Sequence, residues 1–252
     1  MRIAYISLHW ARTSDSGVGK KIQRQIETWK SLGHEARLFM HSEATRDPNL
    51  LEGEKFFYPA QAGIAQRELG RVNAAKALLD AVQRCQPDLI YLRYGIYVYP
   101  IHKLASIAPL IEELTTNDII QHKGLGILFS LYNRLTRGIL LRHTSGLVCL
   151  SNELKNASYN AKFEKQTIVI GDSIDLNSIK SLPAPNNAEP HIAFIGSPGS
   201  VWQGVDKLLH LAKLFPDLQI QIIGYDQIEE NHELPDNLHL HGYLGKDNYT
   251  KI

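Results

Sequence analysis

The sequence predicts an α/β protein: a doubly wound parallel sheet with helices on both faces, then a second, incomplete unit of the same kind. Three observations predict it. Short apolar runs of strand length alternate with segments whose apolar residues recur every three or four positions, the pattern of parallel strands joined by crossover helices. Residues 177–190 carry Pro183, Pro185 and Pro190 among asparagines without periodicity, and read as an interdomain linker. After them the strand–helix alternation restarts. The expected organisation is therefore a domain over residues 1–176, a linker over 177–190 and a partial domain over 191–252.

The elements follow in order. Residues 3–7 are a short apolar run ending at a loop. Val18, Ile22, Ile26, Trp29 and Leu32 then form one face of a helix, with Gly33 placed as its C-terminal cap. Residues 36–40 are the next strand. A long helix over residues 65–85 shows Leu69, Val72, Leu79 and Val82 on one side, until Pro87-Asp88 ends it. Strands are expected at residues 89–92 and 110–114. Leu125, Leu128, Tyr132, Leu135 and Ile139 mark another helix, followed by strands at 147–150 and 167–170. Past the linker come a strand at 191–195, a helix at 205–215, a strand at 219–223 and a strand-like run at 238–243.

Composition narrows the function. The chain has 252 residues, 44% hydrophobic and 21% charged, which is ordinary globular usage. A formal net charge of +1 gives no reason to expect a nucleic-acid partner. Two distant cysteines in apolar stretches argue against a disulfide framework and suit a reducing compartment. No apolar run approaches a membrane span, and the N-terminal MRIAYISLHW is too short for a signal peptide. A soluble cytoplasmic protein is expected, with the inner face of the membrane as the alternative placement.

In such sheets ligands bind at the carboxyl ends of strands, so the loops there are the candidate sites. SDSGVGKK, residues 14–21, precedes the first helix, and offers Ser16, Gly17, Gly19 and Lys20 to a phosphate or acceptor. It is neither a P-loop, which needs glycine at position 14 and Ser or Thr at 21, nor a dinucleotide fingerprint, which needs glycine where Ile22 stands. The plain alternative is a connection without a ligand. IGSPGSVWQGVD, residues 195–206, repeats the geometry in the second unit; its Trp202 has a core anchor as the alternative reading. LTTNDIIQHKG, residues 114–124, crowds Thr115, Thr116, Asn117 and Asp118 at a strand's carboxyl end. A turn with an Asx cap is the competing explanation. Tyr94 and Ser151 also follow strand ends, and should share one rim with Gly17, Gly19 and Asn117.

Other constellations carry less. His239 and His241 lie two apart on one strand with His232 nearby, but no Cys, Asp or Glu at ligand spacing joins them, so no metal site is expected. Glu112 and Glu113 are strand neighbours, point to opposite faces and cannot form a facing acid/base pair. Lys123, Arg134, Arg137 and Arg142 flank the apolar helix at residues 125–141. A core helix with a solvated basic side is favoured there, and a surface touching anionic lipid is the alternative.

Taken together, these pieces resemble the family 4 glycosyltransferases of the GT-B fold, over nearly the whole chain and in the family's order. SGVGKKIQRQIETWKSLGHEARLF resembles the glycine loop, first helix and Gly-His before the second strand. QPDLIYLRYG resembles the Pro-Asp strand, LVCLSNELKN the strand ending in Ser before a short helix, and KQTIVIGDSIDLNSI the stretch that normally reads Pro-Asn-Gly-Ile-Asp. HIAFIGSPGSVWQGVDKLLHLA resembles the opening of the donor domain.

The resemblance implies metal-independent transfer of a sugar from a nucleotide diphosphate sugar, with retention, to a glycan or lipid-linked acceptor in cell-surface polysaccharide synthesis. The nucleotide sugar is a substrate, and no cofactor is implied. It assigns Asn117 and Asp118 to the catalytic region, where the family often has His before Asp, and Gly196, Ser197, Gln203 and Gly204 to the donor. Ser197 and Gln203 stand where the family has Arg and Lys on the diphosphate. Losing one such donor can cost roughly 3–4 kcal/mol of transition-state stabilisation. Asp172-Ser173 replaces Asn-Gly, and the later E-x7-E element is absent. This chain alone is therefore expected to be inactive, as a truncated form. A non-catalytic binding or assembly module and a GT-B sugar-nucleotide epimerase are the competing functions.

Overall fold

The computed structural model describes residues 1–8, 17–43, 51–59, 63–124, 126–173, 191–198, 203–228 and 234–244. The chain divides into two compact units, Met1–Ser173 and Ile174–Ile252. The expected linker at 177–190, the loop residue Ser16, Trp202 and His232 lie outside the described residues.

The first unit holds strands β1 (Arg2–Ser7), β2 (Glu35–Glu43), β3 (Glu54–Tyr58), β4 (Leu89–Arg93), β5 (Leu110–Leu114), β6 (Gly146–Cys149) and β7 (Gln166–Val169). They form one seven-stranded sheet in the order β3-β2-β1-β4-β5-β6-β7, and every pairing is parallel. Alternation along β1 divides the core. Ile3 and Tyr5 pack with Ile22 and Ile26 of α1 (Gly17–Ser31) on one face. Ala4 and Ile6 pack with Ala75, Leu78 and Val82 of α2 (Ile64–Cys85) on the other. Helices on both faces and a sheet that grows outward from β1 in two directions make the fold doubly wound. The reversal lies between β1 and β4, the topological switch point at whose carboxyl edge ligands bind.

Local chemistry explains the ends. Gly33 takes φ +83, and Gly33 N–H donates to the Lys30 carbonyl at 3.0 Å while His34 N–H reaches Trp29 at 3.0 Å, closing α1 as the sequence indicates. α2 ends on Gln86, which adopts the left-handed conformation without being glycine. After β5 come α3 (Asp118–Gly124) and α4 (Ile127–His143), then α5 (Asn152–Asn156) and α6 (Ser158–Ala161) after β6.

α4 corrects the expectation of a core helix with a solvated basic side. Its marked face is turned outward: Leu128 is 78% and Leu135 71% exposed, while Arg137 is 4% exposed. Periodicity identified the helix, but the buried side of its first turns is chosen by an ion pair rather than by apolar residues. Leu32 and Leu69, also assigned to inward faces, are exposed as well.

The second unit holds β8 (His191–Ile195), α7 (Val205–Leu214), β9 (Gln219–Ile223) and β10 (Leu238–Leu240). Its sheet is parallel in the order β10-β9-β8. Leu209 and Ala212 of α7 cover Ile220, Ile222 and Leu238 on one face. The Asn237 side chain ties the layers: its Nδ2 donates toward the carbonyls of Ala212, Phe215 and Leu218 at 3.1, 2.9 and 2.8 Å.

Candidate functional site

In the first unit the carboxyl edge beside the switch point is charged. Arg93 ends β4 and Glu113 is the penultimate residue of β5, and both are buried. Lys21, on the first turns of α1, reaches Glu113 Oε1 at 2.8 Å and Asp172 Oδ1 at 2.8 Å. Arg93 Nη1 lies 3.5 Å from Glu113 Oε2. A carboxylate inside the sheet edge is thus held by two cations from different elements. One of those cations is shared with Asp172, whose side chain is 67% exposed. Burial, then the nearby Glu113 charge, push the Tyr5 and Tyr91 phenols far above their ordinary range, so both stay neutral beneath the rim.

Glu112 points to the other side of β5, as strand geometry requires. It is fully buried, and neither carboxylate oxygen has a hydrogen-bond partner. Burial pushes its carboxyl up to about 8, opposed by Arg137 and reinforced by Asp118. It therefore carries a proton at neutral pH.

Behind the rim lies a second buried set. Asp118 Oδ2 accepts from Arg137 Nε at 2.8 Å and from Asn133 Nδ2 at 2.7 Å. The Tyr94 hydroxyl sits 2.5 Å from Asn133 Oδ1 and 3.1 Å from Asp118 Oδ2. Arg137 also donates to the Tyr159 carbonyl at 2.7 Å and to Asn160 Oδ1, and it stacks over the Tyr159 ring. One guanidinium thereby fastens α3, α4 and α6 together.

The residues singled out from the sequence fall into distinct positions. Asp118 and Tyr94 meet in the buried set. Asn117 is partly exposed and caps α3, its Oδ1 accepting from Ile120 N–H at 3.2 Å. Ser151 caps α5, accepting from Leu154 N–H at 3.3 Å. Gly17 opens α1 with open space around it, Gly19 is buried in the helix, and Lys20 is exposed. Lys21, Arg93 and Glu113 escaped sequence reasoning as a group. The available signal was two carboxylates inside an otherwise apolar five-residue strand, since buried charges need partners.

In the second unit the carboxyl edge is built from backbone. Gly196, Gly224 and Gly242 follow β8, β9 and β10. Gly224, at φ +97, packs so closely that a Cβ there would lie 2.0 Å from the Gly196 carbonyl oxygen. A Cβ on Gly242 would meet Asp226 at 2.2 Å. The Gln203 side chain folds into this edge: Ser197 N–H donates to Gln203 Oε1 at 3.0 Å, and the Tyr225 hydroxyl bridges the Ser197 carbonyl at 2.7 Å and Gln203 Oε1 at 3.3 Å. Gly204, at φ +75, opens α7, and Asp206 stands in its first turn. His239 and His241 are paired with Gln219 and Gln221 of the neighbouring strand at 3.1 and 2.6 Å. No cluster of metal-ligating side chains occurs among the described residues.

No protein-family model and no curated protein sequence matches the chain. Solved structures do. Sucrose-phosphate synthase from Thermosynechococcus elongatus is similar with a TM-score of 0.64 at 14% identity, covering 96% of this chain and 70% of that one. The lipopolysaccharide outer core galactosyltransferase WaaB in its apo form gives 0.62 at 13%, covering 97% and 68%. The catalytic domain of starch synthase IV from Arabidopsis thaliana, bound to ADP and acarbose, gives 0.58 at 13%, covering 87% and 67%. At such identities the likeness speaks for architecture, and the architecture of this chain is the GT-B fold of those glycosyltransferases.

Proposed function

We propose that the protein takes part in transferring a sugar from a nucleotide diphosphate sugar to a glycan or lipid-linked acceptor, with retention and without metal or cofactor, in the building of a cell-surface polysaccharide. The observation that carries this reading is the GT-B architecture shared with solved glycosyltransferases across both units. The chemistry of each edge suits it. At the first, partly exposed Asn117 offers an amide to an acceptor hydroxyl, with Asp118 behind it fixing α3. Lys21 can exchange the exposed Asp172 for an anionic group while Glu113 holds it in place.

At the second edge, Gln203 Oε1 occupies the position a phosphate oxygen would take on the Ser197 N–H. A diphosphate entering there displaces it, meets the amides after Gly196 and the start of α7 at Gly204, and leaves the Gln203 amide free to donate. Charge growing on the leaving diphosphate is where such aimed dipoles act most strongly.

A second reading, a binding module without transfer, is favoured by Asp226 beside Gly242 and by Asp206 in the first turn of α7, whose charges oppose an anion. Calorimetry with UDP, GDP and ADP, followed by transfer assays with their sugars, separates the two. Transfer with the anomeric configuration kept in the first product, read by NMR, supports the enzyme; tight nucleotide binding with neither transfer nor hydrolysis once an E-x7-E element is supplied supports the module. Replacing Gln203→Lys removes the internal acceptor and adds a cation, and should tighten diphosphate binding about tenfold. Unchanged affinity would remove Gln203 from the site.

A further inference from the structure

A helix on the surface of a sheet ordinarily turns its polar face to water. Over its first nine residues α4 does the reverse. Ile127 and Leu128 are 85% and 78% exposed and Leu135 is 71% exposed, with Phe129 and Leu131 exposed among them. α3 packs on α4 and adds exposed Ile120. Leu128, Leu131 and Leu135 follow the three-and-four spacing that stacks side chains on one face. The face α4 buries there is polar, because Asn133 and Arg137 are drawn in by Asp118. A continuous patch of this size on a surface marks a partner.

The charges around it select the partner. Between Asp118 and Glu153 the sequence contains no acidic residue, and the same stretch contains Lys123, Arg134, Arg137 and Arg142. Arg137 is buried; Arg134 and Arg142 are exposed on α4, and among the described residues neither makes an ion pair. The acid that does come near, Glu68 beside Tyr132, is already engaged by Arg67 and Arg71 at 3.7 and 2.7 Å. Exposed apolar side chains flanked by the unpaired Arg134 and Arg142 match a hydrocarbon layer beneath negatively charged headgroups. At 17 residues α4 is about 25 Å long, and no helix among the described residues is long and apolar enough to cross a membrane. The fit is to lying in the interface.

We propose that the N-terminal half of α4, with the adjoining Ile120, is a docking surface that seats this unit on a bilayer containing anionic lipid. Its position gives the contact a purpose. β5 and β6 are parallel neighbours, so the connection between them must return from the carboxyl to the amino edge of the sheet. The start of α4 is therefore at the carboxyl edge, near Asn117 and Tyr94. Docking brings the lipid surface to the rim at which an acceptor is proposed to bind. The contact itself needs no donor or transfer, so its test is independent of that activity.

The test is flotation of the chain with phosphatidylcholine vesicles and with vesicles containing phosphatidylglycerol at 30 mol%. Partitioning should be at least tenfold higher onto the anionic vesicles, fall with added salt, and drop about fivefold for each of Arg134→Gln and Arg142→Gln. Leu128→Gln/Leu131→Gln/Leu135→Gln should abolish it with the circular dichroism spectrum unchanged. Should that variant misfold, Leu128→Trp supplies the answer: brominated lipid should quench the new fluorescence in the bound state. No binding to anionic vesicles, or no quenching at position 128, overturns the proposal. So does a wild-type dimer that the triple variant converts to monomer, which would make this face an interface between copies.

Discussion

The two units finish a parallel sheet in different ways. The first covers both faces with helices, and it buries charge freely: Arg93, Glu113, Asp118 and Arg137 all lie inside it, together with the protonated Glu112. The second is covered by α7, while the alternate residues His191, Ala193 and Ile195 of β8 remain exposed. Among its described residues the buried polar side chain is Asn237, and its strand ends are held by glycine backbone. The difference teaches where charge can be kept. Two covered faces exclude water and sustain ion pairs with several hydrogen bonds, whereas a one-layer sheet relies on close backbone packing.

The largest expected effect breaks the first strategy. Arg137→Met takes the counter-cation from buried Asp118 and the guanidinium donor from Asn160 Oδ1, and should cost about 3–5 kcal/mol in urea denaturation of the first unit. A loss below about 1 kcal/mol would show that water reaches Asp118 and that the charge is not truly buried. Next, Gly224→Ala attacks the second strategy. It combines a left-handed φ with a collision against the Gly196 carbonyl, and should cost about 3 kcal/mol. Hydrogen exchange should rise in β8–β10 while β1–β6 stay protected. Equal loss in both units would mean that they unfold as one.

pH sharpens the contrast from within the first unit. The raised carboxyl of Glu112 keeps its proton in the folded state where the unfolded chain has lost it. Its contribution is full below the unfolded value near 4.5 and disappears as pH rises towards about 8. Between pH 5 and 7 this amounts to about 2–3 kcal/mol of lost stability, which Glu112→Gln should remove. His41 acts oppositely. Burial lowers it to about 4 against an ordinary 6.5, so the unfolded state binds the proton first and stability falls as pH drops through that window. Stability against pH for the wild type and each single variant, His41→Gln being the second, separates the two slopes. An unchanged slope in Glu112→Gln would place the proton elsewhere. The smallest effect expected is from Tyr225→Phe, which removes the hydroxyl between Ser197 and Gln203 and should cost about 1 kcal/mol. A much larger loss would mean that this single hydroxyl holds the second edge together.

Much of the frame was legible in the sequence because β1, β4, β5 and β9 bury apolar residues in short runs, and α1 and α7 show their inward faces. β3 was missed because EKFFY lies at the sheet edge, half exposed, where burial imposes no clear pattern. The orientation of α4 was missed for a deeper reason. The partners of Arg137 lie 19 and 23 residues away in sequence, so nothing local says that this cation turns inward and the leucines outward. The Lys21–Glu113 pair is equally non-local. Asn117 and Ser151 were legible as strand-end residues, and their capping bonds follow from residue types that favour that position.

The place of β1 inside its sheet, with a neighbour on each edge, also sets a timetable. It leaves a ribosome before the other strands of its sheet, and β2 can join one of its edges soon afterwards. Its other edge must wait for β4, more than eighty residues later. At about 5–20 residues per second that interval is roughly 4–16 s. Throughout it, a bare strand edge carrying Ile3, Tyr5 and Ile6 is open to any passing chain. The nascent protein is then at its most vulnerable to mispairing, and holdase chaperones have the most to gain by binding it.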